Sequence, residues 1–187
     1  TLEAVFEDKV LELETLDNLM WLPDGEHVIY WTSNSEENVL RRQAVTTGET
    51  KQLADWTAVL DRLTAQRPEW KKPSPGDVNS SASGRTTPVL SPDGSALVGG
   101  HAGDLYLFEL ATGEARFLTG DAEQEIFPAF SPDGSKIGFA RSGDVYWLDL
   151  ASGVVHRVTD RGDKSFLLNG VADWVSEEEL DVKRSYW

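Results

Sequence analysis

Three carboxylates in succession, Glu177, Glu178 and Glu179, follow the segment Asp173-Trp174-Val175-Ser176 and are closed by Leu180. Two kinds of chemistry fit that run. Adjacent carboxylates can receive a cation with several donors, such as a substrate ammonium, because charge-assisted hydrogen bonds are stronger than neutral ones. The same residues can instead open a helix, with Ser176 as N-cap, Glu179 completing a Ser-x-x-Glu capping box, and acids in the first turn suiting the macrodipole. The two readings are compatible.

Other chemistries find little support. A serine nucleophile needs a histidine and an acid in reach, commonly on a Gly-x-Ser-x-Gly elbow, and no such elbow occurs. His27, His101 and His156 stand near turns or strand ends and read as surface or packing residues. Neither a His-Glu-x-x-His pair, a glycine-rich phosphate loop nor a calcium loop is present, so no metal or cofactor is expected. Arg161-Gly162-Asp163 reads as part of a loop.

The elements that must carry these residues show in a repeat. Ser91-Pro92-Asp93-Gly94-Ser95 recurs forty positions on as Ser131-Pro132-Asp133-Gly134-Ser135, and the following residues recur with it. Gly103-Asp104-Leu105-Tyr106-Leu107 answers to Gly143-Asp144-Val145-Tyr146-Trp147, and Leu110-Ala111-Thr112-Gly113 to Leu150-Ala151-Ser152-Gly153. A weaker copy opens at Pro23-Asp24-Gly25 and continues through Val28-Ile29-Tyr30-Trp31 to Thr47-Gly48-Glu49. Pro presets one turn dihedral and Gly accepts the positive one, so these tripeptides separate short strands. In Asp144 to Asp149, alternation puts Val145, Trp147 and Asp149 on one face and Asp144, Tyr146 and Leu148 on the other, which makes a sheet covered on both sides. About forty residues with about four short antiparallel strands is the pattern of a β-propeller blade. The fold expected is therefore all-β, a fragment of a larger propeller.

In chain order, residues 16–54 form a degenerate blade, 55–87 a helix and loop insertion, 88–127 and 128–166 two clean blades, and 167–187 a loop and the start of another blade. Trp56, Val59, Leu60 and Leu63 recur at helical spacing and Pro68 stops the pattern. Lys71 to Thr87 has the composition of a loop. Leu19 to Trp31 predicts a hairpin turning at Pro23-Asp24-Gly25. Ahead of it, Leu2 to Phe6 is expected as a short helix capped by Thr1, and Val10 to Leu13 as a strand. A complete propeller has about four to eight blades, so both ends of the sequence read as cuts.

Forty per cent apolar content among 187 residues suffices for a real core. Seventeen basic against 32 acidic residues give a net charge of −15, which disfavours nucleic acid and anionic lipid as partners. The absence of cysteine is compatible with a periplasm, a cytoplasm or secretion.

Asn169-Gly170, Asp173-Trp174-Val175, Glu177-Glu178-Glu179 and Tyr186-Trp187 together resemble the Asn-Gly…Asp-Trp-Val-Tyr-Glu-Glu-Glu…Trp-Trp-Ser-Pro-Asp-Gly passage of the dipeptidyl peptidase IV family of serine peptidases. Thr1-Leu2-Glu3-Ala4-Val5-Phe6 is similar to the opening of bacterial members. The resemblance implies an eight-bladed propeller joined to an α/β-hydrolase domain that bears the Ser-Asp-His triad and lies outside this sequence. It implies that Glu178 and Glu179, with Glu177 in support, hold the free amino terminus of a peptide substrate from which dipeptides of the X-Pro or X-Ala type are removed. It also implies the hydrolase domain as a partner within the same protein, a homodimer of the complete protein, and a bacterial periplasmic or secreted location. Ser176 stands where the family has Tyr, and Gly99-Gly100-His101 offers no counterpart to the arginine that members place near the substrate carbonyl. The rival expectation is a non-enzymatic propeller of the TolB or WD type that binds a protein or small ligand.

Overall fold

A computed structural model describes residues 15–33, 38–66, 86–101, 103–120, 123–161, 168–180 and 182–186. The readings for Leu2 to Phe6, Val10 to Leu13, Pro68, Lys71 to Arg85 and the Gly162-Asp163 pair lie outside these residues. What is described is three four-stranded antiparallel sheets, each a simple meander. The first contains β1 (Thr15–Trp21), β2 (His27–Ser33), β3 (Asn38–Ala44) and β4 (Thr50–Asp55). The second contains β5 (Thr86–Leu90), β6 (Ala96–His101), β7 (Asp104–Glu109) and β8 (Ala115–Phe117). The third contains β9 (Glu125–Phe130), β10 (Lys136–Arg141), β11 (Asp144–Asp149) and β12 (Val155–Arg157). Two helices accompany them, α1 (Trp56–Gln66) and α2 (Trp174–Leu180). The strand β9 runs across the 127/128 division drawn from the sequence and belongs to the third sheet.

The repeated turns form because their side chains supply bonds that the backbone lacks. Gly94 takes φ +72°, and its N–H donates to Ser91 O at 2.9 Å. The Ser91 hydroxyl donates to Asp93 at 2.6 Å, while the same carboxylate accepts from Ser95 N at 3.0 Å. The Ser131 to Ser135 copy repeats the arrangement, with Ser131 Oγ 2.6 Å from Asp133. In the degenerate copy Leu22 replaces the serine, and Asp24 instead accepts from Glu26 N at 2.8 Å and faces His27 Nδ1.

Alternation along β6, β7, β10 and β11 then sorts residues between neighbours. Leu97, Tyr106 and Phe108 face the first sheet in one cluster, whereas Val98, Leu105 and Leu107 meet Ile137, Phe139 and Leu148 of the third sheet in another. Both clusters are almost wholly removed from water. The far face of the third sheet carries Gly138, Val145 and Trp147, the counterparts of Val98, Leu105 and Leu107. There Tyr186 and Gly170 give partial cover beside a groove of about 500 Å³.

Helix α1 starts because Asp55 caps it, accepting from Thr57 N at 2.8 Å and Ala58 N at 3.3 Å. Its apolar stripe, Trp56, Val59 and Leu63, is fully buried between the first two sheets. Trp56 meets Trp31 edge-on with centroids 5.6 Å apart and Phe108 at 5.7 Å, a geometry that aromatic quadrupoles favour. At its other end Gln66 donates to Ala115 O at 2.6 Å and accepts from Phe117 N at 3.4 Å. The side-chain amide thus occupies the open edge of β8, which would otherwise offer unpaired backbone groups.

Each sheet's first strand has a bulge at the same place. Asn18 and Leu19 oppose Tyr30, Thr87 and Pro88 oppose Gly99, and Phe127 and Pro128 oppose Phe139. Asn18 and Phe127 take positive φ, 54° and 57°. Two residues against one bends a strand and frees a backbone group from the ladder. Among the described residues no helix is long and apolar enough to cross a membrane.

Two outcomes are expected from this architecture. Trp56→Ala removes the ring shared by both sheets and should cost about 3–5 kcal/mol, a large part of a domain's stability, measured as a lowered urea midpoint. An unchanged midpoint would mean that α1 does not bind the first two sheets together. The second outcome concerns acid. Hydrogen bonds, from the Ser91 hydroxyl foremost and then from Ser95, hold the Asp93 carboxyl down to about 2 from an ordinary 3.8, and Ser131 lowers Asp133 likewise. A carboxyl depressed on folding stabilises above its unfolded pKa, and that contribution is lost as pH falls through the folded one. Melting temperature should therefore drop between about pH 4 and 2, and the Asp93→Asn/Asp133→Asn double variant should show a shallower slope there. Equal slopes would refute this role for the turns.

Candidate functional site

The acidic run lies on α2, and the third sheet positions that helix through a bonding pattern already used once. At the start of β9, Glu125 N donates to Gly103 O at 2.8 Å, and Leu105 N donates to Thr119 Oγ1 at 2.8 Å. In the next repeat, where Gly143, Val145 and Thr159 stand forty residues after Gly103, Leu105 and Thr119, Asn169 N donates to Gly143 O at 2.9 Å and Val145 N donates to Thr159 Oγ1 at 2.9 Å. Asn169 therefore holds the place in the next repeat that Glu125 holds in the third sheet. Asn169-Gly170-Val171 corresponds to Glu125-Ile126-Phe127.

After Val171 the chain departs. Val171 bridges to Arg184, Ala172 N donates to Lys183 O at 3.1 Å, and Ser185 N donates to Gly170 O at 3.1 Å. Residues 172–183, with α2 among them, thus form an excursion closed at its base. Counting from Glu125, the excursion leaves at the position where β9 has its bulge at Phe127 and Pro128.

Within the excursion, Asp173 caps α2. Its carboxylate accepts from Ser176 N at 2.8 Å, and backbone and side-chain bonds from Ser176 hold its pKa below the ordinary carboxylate value. The expected capping box with Ser176 at its head is therefore displaced by one turn: Ser176 is the third helical residue and Asp173 the cap. Asp-x-x-Ser competes with Ser-x-x-Glu for the same stretch. The closed base ends the extended segment just before Asp173, which decides between them.

Moving the cap releases the acids from that duty. Glu177, Glu178 and Glu179 are exposed, and their side chains have no ion-pair or hydrogen-bond partner among the described residues. Two adjacent carboxylates on a helix diverge by about 100°, and long glutamate arms can still converge on one cation placed between them. Around them Val175, Leu180 and Val182 are exposed apolar residues on the same excursion.

The remaining sequence candidates fall elsewhere. His27 Nδ1 lies 2.8 Å from Asp24 Oδ2 in the first hairpin turn, and His156 stacks on Trp147 with centroids 4.0 Å apart. His101 ends β6, and its side chain lies outside the described residues. No group of three His, Cys, Asp or Glu that could hold a metal ion occurs among the described residues. The residues that sequence reasoning missed are those securing the excursion, chiefly Asp144, Thr159 and Asn169. The Gly-Asp turn and the threonine each recur at an offset of forty and could have pointed to them.

Comparison with known proteins agrees with this architecture. Residues 100–187 match the family described as the dipeptidyl peptidase IV (DPP IV) N-terminal region. No curated protein sequence matches the chain. Among solved structures, dipeptidyl peptidase 4 of Porphyromonas gingivalis superposes with a TM-score of 0.64 at 20% identity, covering 98% of this chain and 24% of that one. The tricorn protease gives 0.53 at 11% identity over 81% of this chain and 14% of that one. TolB of Acinetobacter baumannii gives 0.48 at 18% over 75% and 31%. At such identities the superpositions speak to fold alone, and this chain spans about a quarter of the Porphyromonas protein. Residues 100–187, which include all of the third sheet and the acidic excursion, are thus similar to the amino-terminal region of the dipeptidyl peptidase IV family.

Proposed function

We propose that Glu178 and Glu179 receive the α-ammonium of a peptide substrate, and that the chain is the substrate-selecting propeller portion of a dipeptidyl peptidase. The observation that carries this reading is the pair of exposed carboxylates on a helix whose own cap is Asp173, so that neither acid is consumed in holding the helix. A model α-amino group has a pKa of about 7.7 to 8.0 and is largely protonated at neutral pH. Its three N–H donors match two acceptor-only carboxylates. In the complete protein the amine would bind here while the scissile carbonyl meets a serine on an α/β-hydrolase domain of the same polypeptide. The distance between the two sites would then set the cut at two residues from the amino terminus, with X-Pro and X-Ala peptides as the substrate class.

The chemistry divides between the two parts. This chain supplies binding and orientation, and a positioned amine raises the effective concentration of the bond to be cut. Acyl transfer belongs to the triad elsewhere in the protein, so the isolated chain should release no dipeptide from any such substrate.

Charge-assisted hydrogen bonds contribute roughly 1.5 to 3 kcal/mol each, so Glu178→Gln or Glu179→Gln in the complete enzyme should lower kcat/KM on free-amine substrates about tenfold to a hundredfold. Glu177→Gln should matter less. Steady-state kinetics on a chromogenic X-Pro substrate measures this. Unchanged kcat/KM in both variants would abandon the amine site and favour a propeller that only binds a partner.

A further inference from the structure

The excursion bearing α2 stands on two feet, and each is attached to the third sheet by one side chain. The outgoing foot is Asn169. Its Nδ2 donates to Asp144 Oδ1 at 3.0 Å and lies 3.3 Å from Gly143 O, reinforcing its backbone bond to the same carbonyl. Asp144 is buried to 1% exposure, and its carboxylate also accepts from the Thr159 hydroxyl at 2.6 Å and from the Arg157 guanidinium. One carboxylate thus joins the β10–β11 turn, the end of β12 and the start of the excursion. Next to the foot, Gly170 takes φ +79°, and a Cβ there would lie 2.6 Å from Val145 Cγ2, so the backbone lies flush against the sheet.

The returning foot is Tyr186. Its ring packs over Gly138, where an added Cβ would sit 3.0 Å from Cε2, and its hydroxyl donates to Phe127 O. That carbonyl belongs to the bulge of β9, where Phe127 is left-handed. A bulged residue offers a carbonyl that the ladder does not use.

We propose that Asn169 and Tyr186 are positioning residues for the amine site: they fix both feet of the excursion and so set the height and direction of α2. The inference rests on the reading of Glu178 and Glu179 given above. Selection by distance requires a receptor that does not move. Rotating the feet by about 10° would displace the far end of a helix about 10 Å long by roughly 2 Å, more than a hydrogen bond of 2.7–3.2 Å tolerates. Asp144, at the hub, acts through Asn169.

The test uses the complete protein and two variants. Tyr186→Phe removes only the hydroxyl and keeps the ring over Gly138, while Asn169→Ala removes the bond to Asp144. Amide hydrogen exchange is read at residues 174–180 and, as control, in β10 and β11. KM and kcat are read for a free-amine X-Pro substrate against a small acyl ester without an amine. Exchange in α2 should rise about fivefold or more with that in β10 and β11 nearly unchanged. KM for the peptide should rise about five- to twentyfold relative to that for the ester, with a smaller change in kcat. Unaltered exchange in both variants would overturn the inference. Faster exchange without a KM change, alongside impaired Glu178→Gln and Glu179→Gln enzymes, would leave the feet structural and overturn the positioning role alone. If the glutamate variants also retain full kcat/KM, the amine reading has failed and the positioning role falls with it.

Discussion

A sheet that is apolar on both faces cannot stand alone, and this constraint organises the molecule. Val98 and Leu97 are neighbours in sequence and lie in different hydrophobic clusters, one shared with the third sheet and one with the first. Strands β5, β6 and β7 of the second sheet are thereby committed to two neighbours at once. The forty-residue repeat answers that demand by presenting the next sheet with the same alternation, so that Ile137 and Phe139 arrive where a cover is needed. Helix α1 serves the same end by another route. Between the first and second sheets it inserts Trp56, Val59 and Leu63 where strands alone leave a wedge to fill, and its Gln66 closes the edge of β8.

How much of this the sequence revealed follows from the range of the interactions. The Ser-Pro-Asp-Gly-Ser turns are made by bonds spanning two to five residues, and they were legible as turns for that reason. The spacing of Trp56, Val59 and Leu63 announced a helix, yet nothing local indicated its docking, since Gln66 reaches partners 49 and 51 positions away. The acid run was visible as an unusual cluster. Its capping was misread because Asp173 and Ser176 both have cap chemistry, and the choice between them depends on where the base of the excursion closes, at Val171 and Arg184.

The site itself shows a division between what holds and what is held. The residues that hold, Asp144, Thr159 and Asn169, are buried or half-buried and spend their polar groups on one another. Those that are held, Glu178 and Glu179, face solvent. Preorganisation of this kind places the ordering cost in the folding of the sheet, leaving less to be lost when a ligand arrives. A lone carboxylate on a mobile loop would have to be ordered at that moment instead.

The bulge shared by the first strands has a consequence for how such a protein can change over generations. At Asn18-Leu19, Thr87-Pro88 and Phe127-Pro128 the hydrogen-bond ladder is already interrupted, so extra residues added there disturb no existing pair. Loop closure grows only slowly more costly with length, by about 0.6 kcal/mol for each doubling. A dozen residues can therefore enter at this point while the turns and both clusters remain as they were. The excursion of residues 172–183 is what such an addition looks like. Each repeat keeps a comparable point of entry at the same end of its sheet, where a new recognition element could be tried without first dismantling the scaffold.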